Sequence, residues 1–425
     1  MFALVDANSF YCSAEQVFRP EWRGKPIIVL SNNDGCIVTA NKQAIALGIE
    51  KFQPYFKVQQ ICKEKGIVVC SSNYELYGDL SSKMMQVIGR YAPQQHIYSI
   101  DESFLSFEHC SQSIPCFVEH AQKIRKAVWK ETRLPVCIGL GTTLTLAKLA
   151  NHIAKRLPEF KGVYLLNNLS FSSKENDHNK FLETLSPSNV WGIGRKTTKK
   201  LQTHGVNNLT ELMTLQPHII KQYFNVELLR TIKELNGEQC KGWDQTRADK
   251  LQIFSTRSVG KRIIDIESLK QALVKHASIT AVKARQQRSL CGALMAFAAN
   301  SPFDKQPQSF KMIKHFNPPT NSTAELIQAI SEAMSALYMP GVQYYKIGVG
   351  LLDLSSERHQ QYELFNPHKT DASLMKLLDN INHKYGSDTL HYASQGVDEK
   401  WSMRREFLTP QYTTSWEDIP KIHCE

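Results

Sequence analysis

Two adjacent carboxylates between short apolar runs constrain this chain more than any other feature. Asp101 and Glu102 lie within residues 97–105, so they occupy the tip of a β-hairpin or the edge of a sheet. The first predicted strand, residues 2–5, is followed by a third acid, Asp6. If these strands pair, three carboxylates converge, and each pair repels by about 4 kcal/mol at ~4 Å and an effective dielectric near 20. Any one acid could simply cap a turn, but three together call for divalent cations such as Mg²⁺.

Composition narrows the class of partner. The 425 residues are enough for several domains. A formal net charge of +11 favours a polyanion such as nucleic acid, although many soluble proteins are mildly basic.

The ten cysteines include no CxxC pair, which is typical of reduced thiols in a cytosolic protein. We expect neither a signal peptide nor a membrane span, because no charged leader and no run of about eighteen apolar residues occurs.

Apolar periodicity predicts an α+β fold with several modules. In the first 170 residues the pattern predicts strands at 2–5, 26–30, 96–100, 103–107, 136–141 and 163–166, helices at 117–128 and 146–154, and an insertion at 9–77. A polar linker near 170–179 precedes a helical block that ends near 237. A second mixed module has predicted strands at 251–256, 293–298, 309–316 and 346–352 and helices at 269–284 and 325–337. A further helix is predicted near 374–381.

Candidate phosphate-binding groups follow the first acid and recur on a later helix. A turn at residues 8–11 would expose backbone N–H groups near Asp6. Tyr11 in this turn could lie beneath a sugar ring, or it could be an ordinary core aromatic residue. Lys148 and Lys155 are seven residues apart, which puts both on one face of a helix. They suit phosphate, but two solvated lysines are an equally simple interpretation.

Two basic segments are candidates for contact with a nucleic-acid backbone. Gly192 and Gly194 precede a predicted helix that begins with Arg195 and Lys196. This arrangement is typical of a helix-hairpin-helix motif that binds the phosphates of a DNA backbone. A tight turn would explain the glycines but not the cations. Residues 257–288 are also rich in Lys and Arg, and could contact phosphates or form a solvated basic face. Separately, the apolar cluster at 361–365 is typical of a peptide that docks onto a partner.

Several of these motifs resemble the signatures of one enzyme family. Asp6 with Phe10 and Tyr11, residues 99–103 and residues 146–151 look like the three palm motifs of Y-family translesion DNA polymerases. The segments that narrow the resemblance to the UmuC branch are 31–36, 71–77, 190–195, 400–403 and 410–416. The resemblance covers essentially the whole chain.

The resemblance implies an α+β multidomain protein built as a right-hand polymerase. The expected parts are a ferredoxin-like palm (1–9 and 78–167), small fingers (10–77), a helical thumb with a helix-hairpin-helix (168–240), an α+β little finger (248–354) and a C-terminal region with a clamp-binding peptide (355–425).

The resemblance also implies roles for individual residues. Asp6, Asp101, Glu102 and the backbone carbonyl of Ala7 would hold two Mg²⁺ ions. At the substrate site it implies Phe10, Tyr11 as the steric gate against ribonucleotides, Lys155 and Lys42 at the triphosphate, and Ile37 and Val38 over the nascent base pair. The implied DNA contacts are Gly192, Gly194, Arg195, Lys196, Arg257 and Ser258, and the implied clamp contacts are Gln361, Leu364 and Phe365.

The chain departs from the usual family pattern at a few positions. Asn8 stands where many members have an acid, so Asn8 is not expected to be a metal ligand. Lys42 and Ile45 replace a Tyr and an Arg that usually contact the triphosphate, and Ile45 cannot bind phosphate. Tyr362 stands in the clamp peptide where leucine is usual.

The function implied is error-prone translesion synthesis by two-metal nucleotidyl transfer in an SOS-type damage response in the bacterial cytoplasm. The implied partners are primer–template DNA, dNTP, the β sliding clamp, a UmuD′-like dimer and RecA. A DNA-binding regulatory factor is the alternative, and it would bind DNA without magnesium-dependent primer extension. A two-metal nuclease is a third class, but it leaves Tyr11 and the lysine helix without a role.

Overall fold

The computed structural model describes residues 1–110, 112–166, 183–242, 249–359, 372–397 and 401–420. Its contacts divide the chain into two compact units. The first unit comprises Met1–Leu30, Cys36–Arg247 and Phe407–Glu425, and the second comprises Ser31–Gly35 and Ala248–Glu406. The end of the chain therefore returns to the unit in which the chain begins.

The first unit combines two sheets with helices. Its described strands are β1 (Phe2–Ala7), β2 (Ile27–Leu30), β3 (Ile37–Ala40), β4 (Val68–Ser71), β5 (Gln94–Ile97), β6 (Glu102–Ser106), β7 (Val136–Gly141) and β8 (Val163–Leu166). Its described α-helices are α1 (Phe10–Glu15), α2 (Lys42–Ala46), α3 (Gln59–Glu64), α4 (Tyr74–Gly89), α5 (Phe117–Thr132), α6 (Leu144–Arg156), α7 (Arg195–Thr203), α8 (Leu209–Met213), α9 (Pro217–Tyr223) and α10 (Val226–Leu235).

The larger sheet has the order β5-β6-β1-β7-β8 and is antiparallel except for the β7–β8 pair. Strand β1 is central, and alternate side chains enter different cores because strand residues point to opposite faces. Ala3 and Val5 pack in a core with apolar residues of α4 and α5. Phe2 and Leu4 pack in another core with residues of α6. Burial on both faces fixes the register of β1.

Helix α6 lies unusually close to the sheet. A Cβ atom added to Gly139 of β7 would lie 2.0 Å from the backbone nitrogen of Asn151. The side-chain amide of Asn151 donates hydrogen bonds to the carbonyls of Leu4 (3.2 Å) and Cys137 (2.8 Å). These contacts fix the rotation of α6, and with it the direction of the helix face that carries its lysines.

The smaller sheet of the first unit has the order β3-β2-β4, with β2 antiparallel to β3 and parallel to β4. Ile28, Leu30 and Ile37 belong to its core. The helical region α7–α10 has its own core, which it shares with Leu146, Leu149 and Ile153 of α6. Helix α6 therefore joins the helical region to the larger sheet.

The second unit is a four-stranded antiparallel sheet covered by helices. Its described strands are β9 (Ile253–Ile263), β10 (Ser289–Ala299), β11 (Ser309–Thr320) and β12 (Tyr344–Ser356), and its α-helices are α11 (Ile266–Gln286), α12 (Thr323–Glu332), α13 (Met334–Leu337) and α14 (Ala372–Tyr385). The sheet order is β11-β10-β12-β9. Buried apolar residues of α11, α12 and the sheet form one core, which also includes Trp401.

The predicted α+β class is confirmed, and each predicted strand overlaps an observed one. The sequence missed β3, β4 and the sixteen-residue helix α4. The strand predicted at 96–100 instead ends at Ile97, because Ser99 and the residues after it form the hairpin tip. The predicted linker at 170–179 lies outside the described residues. Among the helices that the structure describes, none has the length and apolarity needed to cross a membrane.

Candidate active site

The three predicted acids lie at one edge of the larger sheet. Asp6, near the end of β1, is directly opposite Glu102, the first residue of β6. The backbone N–H of Ala7 donates a 3.0 Å hydrogen bond to the carbonyl of Asp101, which ties the hairpin tip to the end of β1. We call Asp6, Asp101 and Glu102 the acidic edge.

Ser99 organises the hairpin tip that carries two of the acids. Its hydroxyl donates a 2.6 Å hydrogen bond to Oδ1 of Asp101. The Ser99 hydroxyl oxygen in turn accepts hydrogen bonds from the backbone N–H groups of Asp101 (3.3 Å) and Glu102 (3.1 Å). The carbonyl of Ile100 accepts from the Ser81 hydroxyl on α4 (2.5 Å), so the tip is also anchored to a helix. Such supports hold the carboxylates on a rigid frame.

The two lysines of α6 bind the acidic edge. Lys155 Nζ lies 2.5 Å from Oδ2 of Asp6, and Lys148 Nζ lies 2.9 Å from Oε1 of Glu102. Their seven-residue spacing puts both ammonium groups on one helix face, as predicted. Lys148 also lies 4.5 Å from the ring centre of Tyr98. The interpretation of these residues as two solvated lysines is therefore wrong.

The acids repel one another in the fold. Burial raises the pKa of the Asp6 carboxyl from 3.8 to about 6, the Lys155 ammonium opposes this rise, and the negative charges of Glu102 and Asp101 add to it. The edge thus concentrates negative charge in a partly desolvated place, where a cation is favourable.

Oxygen donors and excess negative charge fit a hard divalent cation. Within the described residues, no three His, Cys, Asp or Glu side chains form a ready-made metal cluster, and the ammonium groups of α6 neutralise two of the acids instead. The acidic edge has space around it, because Asp101 lines one cavity of about 290 Å³ and Asp6 and Glu102 line another of about 290 Å³. The donor chemistry and the space therefore fit a metal-binding edge.

The cavity at Asp101, which we call the cleft, gathers most of the predicted substrate residues. Its lining includes Ala7, Phe10, Tyr11, Val38 and Lys155. It also includes Ser9 and Ile100, which belong to the predicted turn and the predicted acidic motif, and Thr39 and Lys51, which the sequence had not singled out. The predicted Lys42 lies nearby, because its Nζ donates a 3.4 Å hydrogen bond to the carbonyl of Lys155.

One predicted substrate residue points elsewhere. Ile37 was expected over the nascent base pair together with Val38, but its side chain is fully buried in the core of the smaller sheet. Neighbouring residues of a strand point to opposite faces, so only Val38 of this pair lines the cleft. The expectation for Ile37 is corrected accordingly.

Aromatic contacts fix the ring of Tyr11 in the cleft. The ring stacks on that of Tyr77 with centroids 4.5 Å apart and planes 18° apart. Tyr74 meets Tyr11 edge-on at 6.2 Å. Tyr11 therefore combines the two alternatives that the sequence offered, because its ring packs against other aromatic residues and also lines the cleft.

The predicted glycine turn opens a basic helix as expected. Gly192 has a φ of +86°, a conformation that favours glycine, and Gly194 is the N-terminal cap of α7. Arg195 and Lys196 are the first two residues of this nine-residue helix and are exposed. Contact of these residues with DNA stays a prediction.

In the second unit, the predicted residues Arg257 and Ser258 lie on β9, the edge strand of its sheet. Arg257 is exposed, as a phosphate contact requires. Other cations of the basic stretch are already paired, since Arg262 binds Asp304 and Arg285 binds Asp379 through two hydrogen bonds each. The stretch therefore offers fewer free charges than its composition indicates. The predicted clamp contacts Gln361, Leu364 and Phe365 lie outside the described residues.

The fold is that of the Y-family DNA polymerases. A solved Y-family DNA polymerase chimera of Dbh and Dpo4 matches with a TM-score of 0.63 at 18% identity, over 84% of this chain and 100% of that chain. The class of protein that the motifs predicted is thus the class that the fold defines.

The chain belongs to the impB/mucB/samB family, whose model matches residues 5–152 and whose C-terminal domain model matches residues 250–364. Protein UmuC of Salmonella typhimurium is 38% identical over 432 aligned residues, which cover 99% of this chain and 100% of that protein. DNA polymerase IV of Bacillus cereus is 26% identical and covers 92% of both chains. The prediction of a Y-family polymerase of the UmuC branch is confirmed. A model described as a domain of unknown function matches residues 372–422.

Proposed function

We propose that this chain is a DNA-directed DNA polymerase that carries out error-prone translesion synthesis in an SOS-type damage response, with the acidic edge as its catalytic centre. Membership of the UmuC branch and the likeness to a DNA polymerase IV support the reaction class. The observation that carries the assignment of the centre is the meeting of Asp6, Asp101 and Glu102 beside a cleft that contains Tyr11 and Lys155.

The acidic edge would hold two Mg²⁺ ions through Asp6, Asp101, Glu102 and the carbonyl of Ala7. Bound there, such ions supply a lower pKa for the primer 3′-hydroxyl and neutralise charge on the triphosphate and the leaving pyrophosphate. The hydrogen bonds of Ser99 orient Asp101 before any ligand arrives. Preorganisation of this kind removes the cost of arranging like charges during the reaction.

Cations of the first unit would bind the triphosphate. Lys155 lines the cleft and reaches the acidic edge, so its ammonium can neutralise phosphate oxygens next to the acids. Lys42 lies beside the backbone of Lys155. Lys51 lines the same cleft and supplies a positive charge that Ile45 cannot. A lysine acts on phosphate as a compact charge, so several placements can serve.

Tyr11 would act as the steric gate that excludes ribonucleotides. Its ring lines the cleft together with Phe10 and is held flat against Tyr77. A rigid aromatic ring beneath the sugar leaves no room for a 2′-hydroxyl. Val38 lines the cleft from the smaller sheet and would contact the nascent base pair.

The proposed partners extend beyond the nucleotide. Primer–template DNA would contact Gly192, Gly194, Arg195 and Lys196 in the thumb and Arg257 and Ser258 in the little finger. We also propose docking to the β sliding clamp through Gln361, Leu364 and Phe365, and work with a UmuD′-like dimer and RecA in the bacterial cytoplasm. The subdomain bounds stated above (palm 1–9 and 78–167, fingers 10–77, thumb 168–240, little finger 248–354) remain part of this proposal.

Primer extension by the full-length chain, supplied with UmuD′-like and RecA partners, tests the proposal. Asp101→Ala should lower nucleotide insertion by about 10³-fold or more, since a metal ligand contributes several kcal/mol to the transition state. Glu131→Ala is the matched control, because Glu131 is an exposed acid that pairs with Arg90 and lines neither of the cavities at the acidic edge. DNA affinity should be unchanged in both variants.

Three outcomes would contradict the proposal. Extension by Asp101→Ala at the unaltered rate would remove the acidic edge from catalysis. DNA binding without magnesium-dependent extension by the unaltered chain would favour a regulatory factor. Release of nucleotides from DNA without added dNTP would favour a nuclease.

A further inference from the structure

A segment near the end of the chain, which belongs to the first unit, packs against both sheets of that unit. We call residues 407–412 the C-terminal strap. The backbone N–H of Ser71 donates a 2.9 Å hydrogen bond to the carbonyl of Phe407, and the N–H of Phe407 donates a 3.0 Å bond to the Ser71 hydroxyl. The Phe407 ring meets that of Tyr55 edge-on at 5.9 Å and packs against the core of the smaller sheet. The strap therefore begins at the last residue of β4.

The other end of the strap is anchored to the core of the larger sheet. The ring of Tyr412 stacks on that of Phe18 with centroids 4.7 Å apart. Its hydroxyl accepts a 2.9 Å hydrogen bond from Nε of Arg19. The strap thus spans from one sheet of the first unit to the other, and both ends are held by ring contacts and hydrogen bonds.

Between these anchors the strap binds Asn73, the cap of α4. Asn73 is fully buried, and its Oδ1 accepts from the backbone N–H of Leu76 (3.3 Å), which caps the helix. Its amide nitrogen donates to the carbonyl (3.1 Å) and hydroxyl (3.1 Å) of Thr409 and to the carbonyl of Pro410 (3.3 Å). A buried amide left without acceptors is costly, so the strap completes the start of α4.

Helix α4 carries the residue on which Tyr11 rests. Tyr77, four residues after Asn73, is fully buried and stacks on Tyr11. Its hydroxyl donates a 2.5 Å hydrogen bond to Oε1 of Glu15, which is buried at the end of the same helix α1 that carries Tyr11. Tyr77 therefore supports α1 at two points, once through the ring and once through the hydroxyl.

The strap also acts on the carboxyl at this second point, because the Thr409 side chain, like that of Tyr77, opposes the effect of burial on the pKa of Glu15. Among the described residues, Oε2 of Glu15 is buried without a hydrogen-bond partner, so the direct contact of Thr409 is the one with Asn73 at the cap of α4. The strap, α4 and α1 form one continuous set of contacts that ends at the Tyr11 ring.

We propose that the C-terminal strap is a positioning element for sugar selection: through Asn73 and Tyr77 it holds Tyr11 at the distance at which the cleft rejects a 2′-hydroxyl. The inference rests on the proposed role of Tyr11 as steric gate and deepens it. A steric gate discriminates through fractions of an ångström, so the supports of the ring matter as much as the ring. The strap also gives a specific role to part of the segment 372–422 that matches a domain of unknown function.

The test measures the ratio of kcat/KM for a ribonucleotide to that for the matching deoxynucleotide in single-nucleotide insertion by the full-length chain. Thr409→Val removes the hydroxyl at nearly constant volume, and Tyr77→Phe removes the other hydroxyl while keeping the stacked ring. Each should raise the ratio about fivefold, the factor that follows from the net loss of one hydrogen bond. Thr414→Val is the matched control, because Thr414 is exposed on the same segment, and it should leave the ratio unchanged.

A second arm separates positioning from general loosening. In a Tyr11→Ala background, which should admit ribonucleotides, adding Thr409→Val should leave the ratio within about twofold, since a supporting residue acts only through the ring that it supports. Melting temperatures of all variants check that they fold, and Tyr77→Phe keeps the test decisive if Thr409→Val folds poorly.

Distinct results would overturn the inference. If Tyr11→Ala raises the ratio but Thr409→Val and Tyr77→Phe do not, the gate stands and the strap has no part in it. If Thr409→Val raises the ratio further in the Tyr11→Ala background, the strap acts elsewhere. If Tyr11→Ala itself leaves the ratio unchanged, the gate fails and the strap inference fails with it, while the acidic edge is unaffected.

Discussion

The buried carboxyl of Glu15 should make the first unit less stable as the pH rises. Burial raises its pKa from 4.5 to about 7, against the opposing effects of the Tyr77 and Thr409 side chains and the charge of Arg19. The folded state therefore binds the proton more tightly than the unfolded state. The stability that Glu15 contributes is fully present below about pH 4.5, where the carboxyl is protonated in both states, and it is lost as the pH rises to about 7, where the carboxyl ionises in the folded state.

The size of this effect follows from the shift. A rise from 4.5 to about 7 corresponds to a loss of about 3 kcal/mol at pH 8 relative to the protonated state, because each unit is worth about 1.4 kcal/mol. Glu15→Gln keeps an acceptor for the Tyr77 hydroxyl but cannot ionise. The variant should therefore be more stable than the unaltered chain by about 3 kcal/mol at pH 8 and by less than about 1 kcal/mol at pH 5.

Amide hydrogen exchange across α4 measures this difference within the first unit. Rates are compared between variant and unaltered chain at the same pH, so that the intrinsic exchange rate cancels. At pH 8 the amides of α4 should exchange about 100-fold more slowly in Glu15→Gln. Glu159→Gln, which alters an exposed acid that has no part in the surroundings of Glu15, should change nothing. Equal rates in Glu15→Gln and the unaltered chain at pH 8 would show that ionisation of this carboxyl does not destabilise the first unit.

Three further predictions concern substrate binding, packing and DNA affinity. Lys51→Gln should raise KM for dNTP about tenfold with kcat nearly unchanged, because one charged hydrogen bond is lost. Lys57→Gln, which alters an exposed lysine, should leave KM unchanged. If Lys51→Gln and the unaltered chain have equal KM values for dNTP, Lys51 does not bind the triphosphate. Gly139→Ala should lower the melting temperature, because the added Cβ would lie 2.0 Å from the backbone of α6. Gly78→Ala should raise the melting temperature slightly, because the added Cβ on this exposed part of α4 meets no atom within 4 Å. A higher melting temperature for Gly139→Ala than for Gly78→Ala would contradict the close packing of α6 on the sheet. Affinity for primer–template DNA, followed by fluorescence anisotropy, should fall about 10³-fold between about 50 and 200 mM salt if thumb and little finger grip phosphates, and a flat response would contradict that grip.

Most of the fold and the chemistry of the acidic edge could be predicted from local sequence patterns. The apolar runs around Asp101 and Glu102 predicted the hairpin because alternation and turn residues are properties of neighbouring residues. The seven-residue spacing of Lys148 and Lys155 likewise predicted a shared helix face. The pairing of Asp6 with Glu102 could be inferred only from the expectation that three acids converge.

Other features depend on contacts that no local pattern encodes. Lys51 follows α2 without a motif, and only the folded loop brings it to the cleft. Ile37 and Val38 could not be told apart until the register of β3 fixed which of them faces the core. The contact of Asn73 with Thr409 joins residues 336 positions apart, so the strap was beyond a reading of local sequence.

Asp6, Asp101 and Glu102 should act as one catalytic set, and single-turnover nucleotide insertion shows whether they do. Asp6→Asn and Glu102→Gln should each slow insertion by about 10³-fold, and the double variant should be little slower than either, because groups that act as a unit lose their effect together. DNA affinity should stay unchanged throughout. Losses that multiply in the double variant, or insertion that survives either substitution, would show that the three acids do not form one catalytic set.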